Sequence, residues 1–373
     1  MSGTGERSGA SRRARKFGIA GAVAGLAAAG VAAGVAVERA LVRRSKRDIH
    51  DRHAGERFGE LPCDERRTVT TPDGVELYVE VVDPRARHPR GRADAPARRR
   101  PTLVFVHGYC LDMGTFHFQR KELSRRDEYR MVFYDQPGHG RSGALRAGEY
   151  DLSALGEALR AVLDAVVPDD PVVLIGHSMG GMTIMAFAER FPELVGDRVV
   201  GAVLMATSAR LIEESRFGIS GFASRIGTPL LPVVRNATRL TSPVIERARA
   251  TTSDVAWLLT RRYAFGDKRP SPSLVSYVER LITRTSLETI VGYLRTLAAH
   301  ARYPALAALR RIPTLVIVGE KDAITPVAHS EEIVRRLRDA EFVTVPGSGH
   351  MVMLEHSDEV NRALFDFLEK ITV

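Results

Sequence analysis

The chain has 373 residues, 44% of them hydrophobic, too many for one minimal domain but not for one large domain with an appendage. Its formal charge of +9 would suit a nucleic-acid partner, yet the excess is local: residues 1–67 hold 14 Lys/Arg against 8 Asp/Glu, residues 85–100 hold 7 Arg against one Asp, and the remainder holds 33 basic and 36 acidic residues. No DNA-binding motif accompanies that tail and loop, so no nucleic-acid partner is expected, and two cysteines, Cys63 and Cys110, exclude a disulfide framework or a Cys-rich zinc site.

In chain order, residues 1–16 read as a basic tail. Residues 17–37 form a 21-residue run without a charged side chain, composed of nine Ala, five Gly and seven larger apolar residues. That length spans a bilayer as a helix, and a retained single-pass membrane anchor is the reading adopted. A cleaved signal peptide lacks a clear A-x-A site at the end of the run; an Ala/Gly segment that never enters a membrane is the third reading. Basic residues flank both ends, Arg12, Arg13 and Lys16 before and Arg43, Arg44 and Lys46 after, so sidedness is not readable. Residues 38–66 read as a charged linker.

From residue 67 the pattern changes. Thr68–Thr71 and Val75–Val82 predict two strands joined at Pro72-Asp73-Gly74. Residues 84–100 predict a polar, Arg-rich loop. Then strand and helix alternate. Strands are expected at Thr102–Val106, Arg130–Tyr134, Val172–Ile175, Val199–Met205, Thr314–Val318 and Phe342–Val345. Helices are expected at Phe116–Leu123, Leu152–Val166, Met179–Phe191, Val327–Leu337 and Asp358–Glu369. The short continuous apolar strands are those of a sheet buried on both faces. The fold class is therefore α/β: a mostly parallel sheet with helices on both faces. Residues 208–303 interrupt the alternation with helical patterns only, including Ser253–Tyr263, Pro272–Arg284 and Leu287–Ala299, and read as an inserted helical cap. The core is thus expected in two parts, 67–207 and 304–373.

The chemistry sits at the ends of strands. Gly176-His177-Ser178-Met179-Gly180 follows a strand and opens a helix, the context in which G-x-S-x-G marks a nucleophile on a sharp turn. The glycines are needed because a Cβ at 176 or 180 would strike neighbouring backbone. A serine hydroxyl needs a base within hydrogen-bond reach, and the base needs an acid to orient it. The strand Thr314–Val318 runs into Gly319-Glu320-Lys321-Asp322, and Phe342–Val345 runs into Pro346-Gly347-Ser348-Gly349-His350. Asp322 is the expected acid, with Glu320 its nearest competitor. His350 is the expected base, and His329 and His356 are read as surface residues of helices. The oxyanion of an acyl-transfer intermediate needs two amide donors. Met179, after the nucleophile, and Tyr109, in the loop after Thr102–Val106, are assigned to that task. His107 is read as holding this loop by hydrogen bonds, and Cys110 as a small packed side chain.

Five motifs in order are His107-Gly108, Asp135-Gln136-Pro137-Gly138-His139-Gly140-Arg141-Ser142, Gly176 to Gly181, Gly319 to Asp322 and Gly349-His350. On these the chain resembles the α/β-hydrolase superfamily with a helical cap, over about residues 67–371. Gly108-Tyr109-Cys110-Leu111 with His117-Phe118-Gln119-Arg120 is also similar to hydrolases of actinobacteria that carry an N-terminal apolar segment. The resemblance implies an α/β-hydrolase fold and esterase, lipase, peptidase or related acyl-transfer activity without cofactor. It gives Asp135–Ser142 a structural role. Relatives that use aspartate as nucleophile, the epoxide hydrolases and haloalkane dehalogenases, are set aside by Ser178. No H-E-x-x-H, P-loop or dinucleotide fingerprint is present, so no metal or cofactor is expected.

The expected function is hydrolysis of a carboxylic ester or related small acyl substrate through an acyl-enzyme on Ser178. The apolar residues Phe217, Phe222, Leu230, Leu231, Trp257 and Phe265 of the insertion favour an acyl or lipid-like substrate. A perhydrolase or C–C bond hydrolase with the same triad is the alternative, and a non-catalytic binding protein on this fold is the second.

Overall fold

The computed structural model describes residues 51–87, 100–210 and 260–371. The strands are β1 (Glu65–Thr70), β2 (Glu76–Val82), β3 (Thr102–Val106), β4 (Met131–Tyr134), β5 (Val172–His177), β6 (Val199–Met205), β7 (Thr314–Gly319) and β8 (Glu341–Val345). They form one eight-stranded sheet in the order β1-β2-β4-β3-β5-β6-β7-β8. The β1–β2 and β2–β4 pairings are antiparallel and the rest are parallel. The longer helices are α1 (His117–Arg126), α2 (Leu152–Val166), α3 (Met179–Arg190), α4 (Pro272–Arg284), α5 (Leu287–Ala298), α6 (Val327–Leu337) and α7 (Ser357–Lys370).

Every residue of β3, β4, β5 and β7 is buried, which is why these strands read as unbroken apolar runs: both faces are covered. Alternate side chains divide between two cores. Val104, Val132, Leu174, Leu204 and Val316 face α2, α3 and α6. Leu103, Phe105, Met131, Phe133, Ile175 and Ile317 face α1, α4 and α7. Helix α2 shows how the sequence builds one layer. Asp151 caps it by accepting the Ser153 N–H at 2.6 Å. Leu152, Leu155, Leu159, Val162, Leu163 and Val166 then fall on one buried stripe, each contributing about 1.5–3 kcal/mol by leaving water.

Strand β1 begins three residues earlier than Thr68, the start expected from the sequence. It is an edge strand on which only Val69 is buried. Its Glu and Arg residues pair with β2 through the backbone ladder, with Arg66 also 3.9 Å from the Glu80 carboxylate, and charge on an exposed edge hides the strand signal while blocking edge-to-edge association. Residues 51–64, within the expected linker, are packed: Phe58 stacks on Tyr277 of α4 with ring centroids 4.5 Å apart, and Glu56 accepts from Lys121 of α1 at 2.6 Å. Residues 17–37 and 211–259 lie outside the described residues, and with them the expected anchor, most of the expected cap, and its Phe217, Phe222, Leu230, Leu231 and Trp257. Phe265 is buried. Among the described residues no helix is long and apolar enough to cross a membrane.

Candidate active site

Parallel register brings five strand ends to one rim. Val106 pairs with Gly176, His177 with Met205, Met205 with Ile317, and Gly319 with Val345. The loops that follow β3, β5, β7 and β8 therefore start side by side, and the crevice beyond carboxyl ends is where open α/β sheets bind ligands.

Between β5 and α3 the backbone turns at Ser178, which has φ 53° and ψ −117°. A side-chain-bearing residue in that region is strained and is held there by its surroundings. The clamp is glycine packing. A Cβ on Gly176 would lie 2.7 Å from the Gly180 carbonyl carbon, and one on Gly180 would lie 1.9 Å from the Val106 oxygen. Only hydrogen fits at either position. The same closeness sets the first turn of α3 against the end of β3 and the loop at 107–110. Gly181 and Met182 N–H groups donate to the Ser178 carbonyl, as does the Thr207 hydroxyl at 2.7 Å.

The three side chains singled out from the sequence meet here. Ser178 Oγ is 3.0 Å from His350 Nε2, and His350 Nδ1 is 2.9 Å from Asp322 Oδ2. Asp322 Oδ1 accepts the N–H groups of Ile324 at 2.8 Å and Thr325 at 2.9 Å. Its Oδ2 also accepts the Thr325 hydroxyl at 2.9 Å. With Oδ2 as acceptor, Nδ1 carries the proton and Nε2 presents its lone pair to the serine hydroxyl. Glu320, the competitor for the acid position, is exposed and instead accepts the Gly347 N–H at 2.9 Å.

The loop bearing Tyr109 is built by neutral histidines. His107 is buried, and its Nε2 accepts the Gln136 N–H at 2.9 Å, so Nδ1 carries the proton and donates to the Gly108 carbonyl at 2.8 Å. Burial pushes its pKa down to about 3. Gln136 returns a bond to the His107 carbonyl at 2.6 Å and accepts from Thr183 of α3 at 2.8 Å. His139 Nε2 accepts the Cys110 N–H at 3.2 Å, and burial holds its pKa near about 4. The residues of the 135–142 motif thus tie the 107–110 loop to α3. The Tyr109 hydroxyl donates to the Ile290 carbonyl of α5. Cys63 and Cys110 are free thiols. Cys110 is buried, and burial raises its pKa to about 12, which suits a packed side chain rather than a nucleophile.

His329 corrects one expectation. It is 7% exposed, not a surface residue, and its Nδ1 lies 2.6 Å from Ser208 Oγ just beyond β6. His356 is partly buried. The helical pattern around position 329 carried no sign of burial because the partner is 121 residues away in the chain. Sequence reading also passed over Thr325 and His177. Thr325 lies in an ordinary-looking turn after the acid. His177 is fully buried with Nε2 donating to the His350 carbonyl at 3.1 Å. Its position inside G-x-S-x-G marked it as the variable residue of the motif.

Fold and rim together define an α/β protein with a strained serine turn facing an imidazole and a carboxylate from two later strand ends. A family model described as Alpha/beta hydrolase family matches residues 103–363. The chain belongs to that family. It is 30% identical, over 72% of its length, to the dihydrolipoyllysine-residue acetyltransferase component of the acetoin cleaving system of Pseudomonas putida, of which it covers 63%, less than two thirds. It is 28% identical, over 72% of its length and 94% of the relative's, to a pimeloyl-(acyl-carrier protein) methyl ester esterase of Chromobacterium violaceum. A thermophilic esterase from Thermogutta terrifontis superposes with a TM-score of 0.63 at 25% identity, covering 83% of this chain and 100% of its own.

Proposed function

We propose that the protein is a serine hydrolase that cleaves a carboxylic ester or related acyl substrate. The observation that carries this reading is the continuous relay from Asp322 Oδ2 through His350 to Ser178 Oγ, with links of 2.9 and 3.0 Å. Esterases among the similar proteins support it. Ser178 Oγ attacks the acyl carbonyl as its proton passes to His350 Nε2. The carboxylate of Asp322 holds the imidazole in the reactive tautomer and stabilises the imidazolium. The Met179 and Tyr109 amides receive the oxyanion, and the N-terminal end of α3 favours the charge that develops there. His350 then protonates the leaving alkoxide. Water, deprotonated by the same imidazole, releases the acid and restores the serine hydroxyl. In this reading residues 17–37 hold the enzyme on a membrane.

The test is turnover of short p-nitrophenyl esters together with labelling by a fluorophosphonate probe. Ser178→Ala is expected to lose at least about a thousandfold in kcat and all probe incorporation. Retained turnover in that variant would refute the assignment.

A further inference from the structure

Five residues beyond His350, in the short helix Val352–Glu355, a carboxylate occupies an unusual place. Glu355 is 3% exposed, and a buried carboxylate is costly unless donors surround it. Here they do. Its Oε2 accepts the Gly349 N–H at 2.6 Å and the Ser348 hydroxyl at 3.2 Å. Its Oε1 accepts the Asp267 N–H at 2.7 Å, and the Gly266 N–H lies 3.0 and 3.1 Å from the two oxygens. These donors come from two segments distant in sequence. One is the loop that ends in His350. The other is Ala264–Asp267, part of the long stretch inserted between β6 and β7.

The two segments touch along their backbones. A Cβ on Gly349 would lie 2.4 Å from the Gly266 nitrogen, and a Cβ on Gly266 would lie 2.3 Å from the Gly347 oxygen. The Met351 N–H donates to the Ala264 carbonyl at 2.9 Å. One carboxylate therefore closes the seam between the inserted stretch and the loop that carries the imidazole, and it grips that loop at the residue directly before His350.

We propose that Glu355 is a positioning residue for His350: its carboxylate holds Ser348 and Gly349 so that the imidazole stays in line between Asp322 and Ser178, and it makes that alignment depend on the docking of residues 264–267. This rests on the reading of His350 as the base. A carboxylate suits the place because both of its oxygens only accept. In Glu355→Gln one of them becomes an NH2 group facing an amide N–H at 2.6 or 2.7 Å, donor against donor, and one segment must withdraw. A displacement of that kind acts on the step in which the proton moves and leaves ester binding alone.

The experiment measures turnover of a short p-nitrophenyl ester per active site, with sites counted by the end-point of fluorophosphonate labelling. A purely structural role would lower the number of sites that label and leave turnover per labelled site unchanged. Positioning predicts full labelling at a slower rate, kcat per site reduced about 10- to 100-fold and KM within about twofold. Unchanged kcat per labelled site in Glu355→Gln overturns the proposal. Should that variant fail to fold, Ser348→Ala decides. It removes one donor, and loss of about threefold in kcat per site is expected at unchanged KM, with no loss overturning the idea. Absence of labelling in the unaltered protein would overturn the serine-nucleophile reading itself, and the role of Glu355 with it.

Discussion

Asp322 divides its two oxygens between the turn that follows it and the His350 imidazole. Oδ1 takes the amides of Ile324 and Thr325 and so fixes the turn after β7. Oδ2 takes the imidazole and the Thr325 hydroxyl. Asp322→Asn separates these tasks. The amide oxygen still serves the turn, so the melting temperature should move little. The NH2 group then faces His350 Nδ1 and forces the proton onto Nε2, where the ring cannot accept from Ser178. A fall in kcat of at least about a thousandfold is expected, with KM nearly unchanged. Glu320→Gln, whose side chain caps Gly347, should cost less than about threefold because a glutamine oxygen can still accept that N–H. Steady-state kinetics on the two variants checks both halves, and equal losses would mean that the acid has been misassigned.

At the level of elements, the N-terminal segment 51–64 acts as a strap between α1 and α4. Asp51 accepts the Ser273 N–H at 3.0 Å and the Ser273 hydroxyl at 2.6 Å, and the Ser271 hydroxyl also donates to it. It therefore supplies a second cap to α4 from 220 residues away. Removing a capping side chain costs about 1 kcal/mol. Asp51→Ala should lower the unfolding free energy measured in urea by that much and leave ester turnover within about twofold, and an unchanged unfolding free energy would show that the Asp51 cap contributes nothing. The strap was not legible in the sequence: Phe58 and Leu61 are its only large apolar residues and follow no period, and the contacts that anchor it to α1 and α4 are remote. By contrast α4 was read with both ends correct, since Ser271 and Pro272 mark its start and its buried residues keep helical spacing. The inner strands were legible because burial on both faces leaves little but apolar side chains. The motif residues were legible because strand ends and glycines announce the rim. Glu355 and His329 were not, since nothing local distinguishes a carboxylate or imidazole that faces inward.

Across the whole molecule, the loops at the rim are joined by buried histidines that work as neutral rings. His107 and His139 hold the 107–110 loop, His177 holds the His350 carbonyl at 3.1 Å, and His300 donates to the Ser208 carbonyl at 2.8 Å where the inserted stretch rejoins the core. Burial pushes their pKa values down, to about 3 for His107, about 4 for His139 and His300, and well below the usual histidine range for His177. In the unfolded chain each titrates at about 6.5. As pH falls below that value the unfolded state takes up protons that the folded state refuses. The stability these rings contribute is thus complete above about pH 6.5 and is lost as pH falls toward 4, each adding a slope of up to about 1.4 kcal/mol per pH unit. Two carboxyls oppose them: burial raises Asp112, and raises Asp135 to about 7, so the folded state holds protons there that the unfolded chain has lost, and that contribution fades as pH rises through 7. The four rings, joined by His53, His117 and His329, whose pKa values burial also lowers, outnumber the two carboxyls and leave the acid side the weaker. Urea unfolding followed from pH 7 to pH 5 should show a steeply falling midpoint. His300→Gln, which can keep a donor toward Ser208, should remove about a quarter of the slope that His107, His139, His177 and His300 give together. A midpoint that stays level over this range would mean that these rings take up protons without leaving the fold.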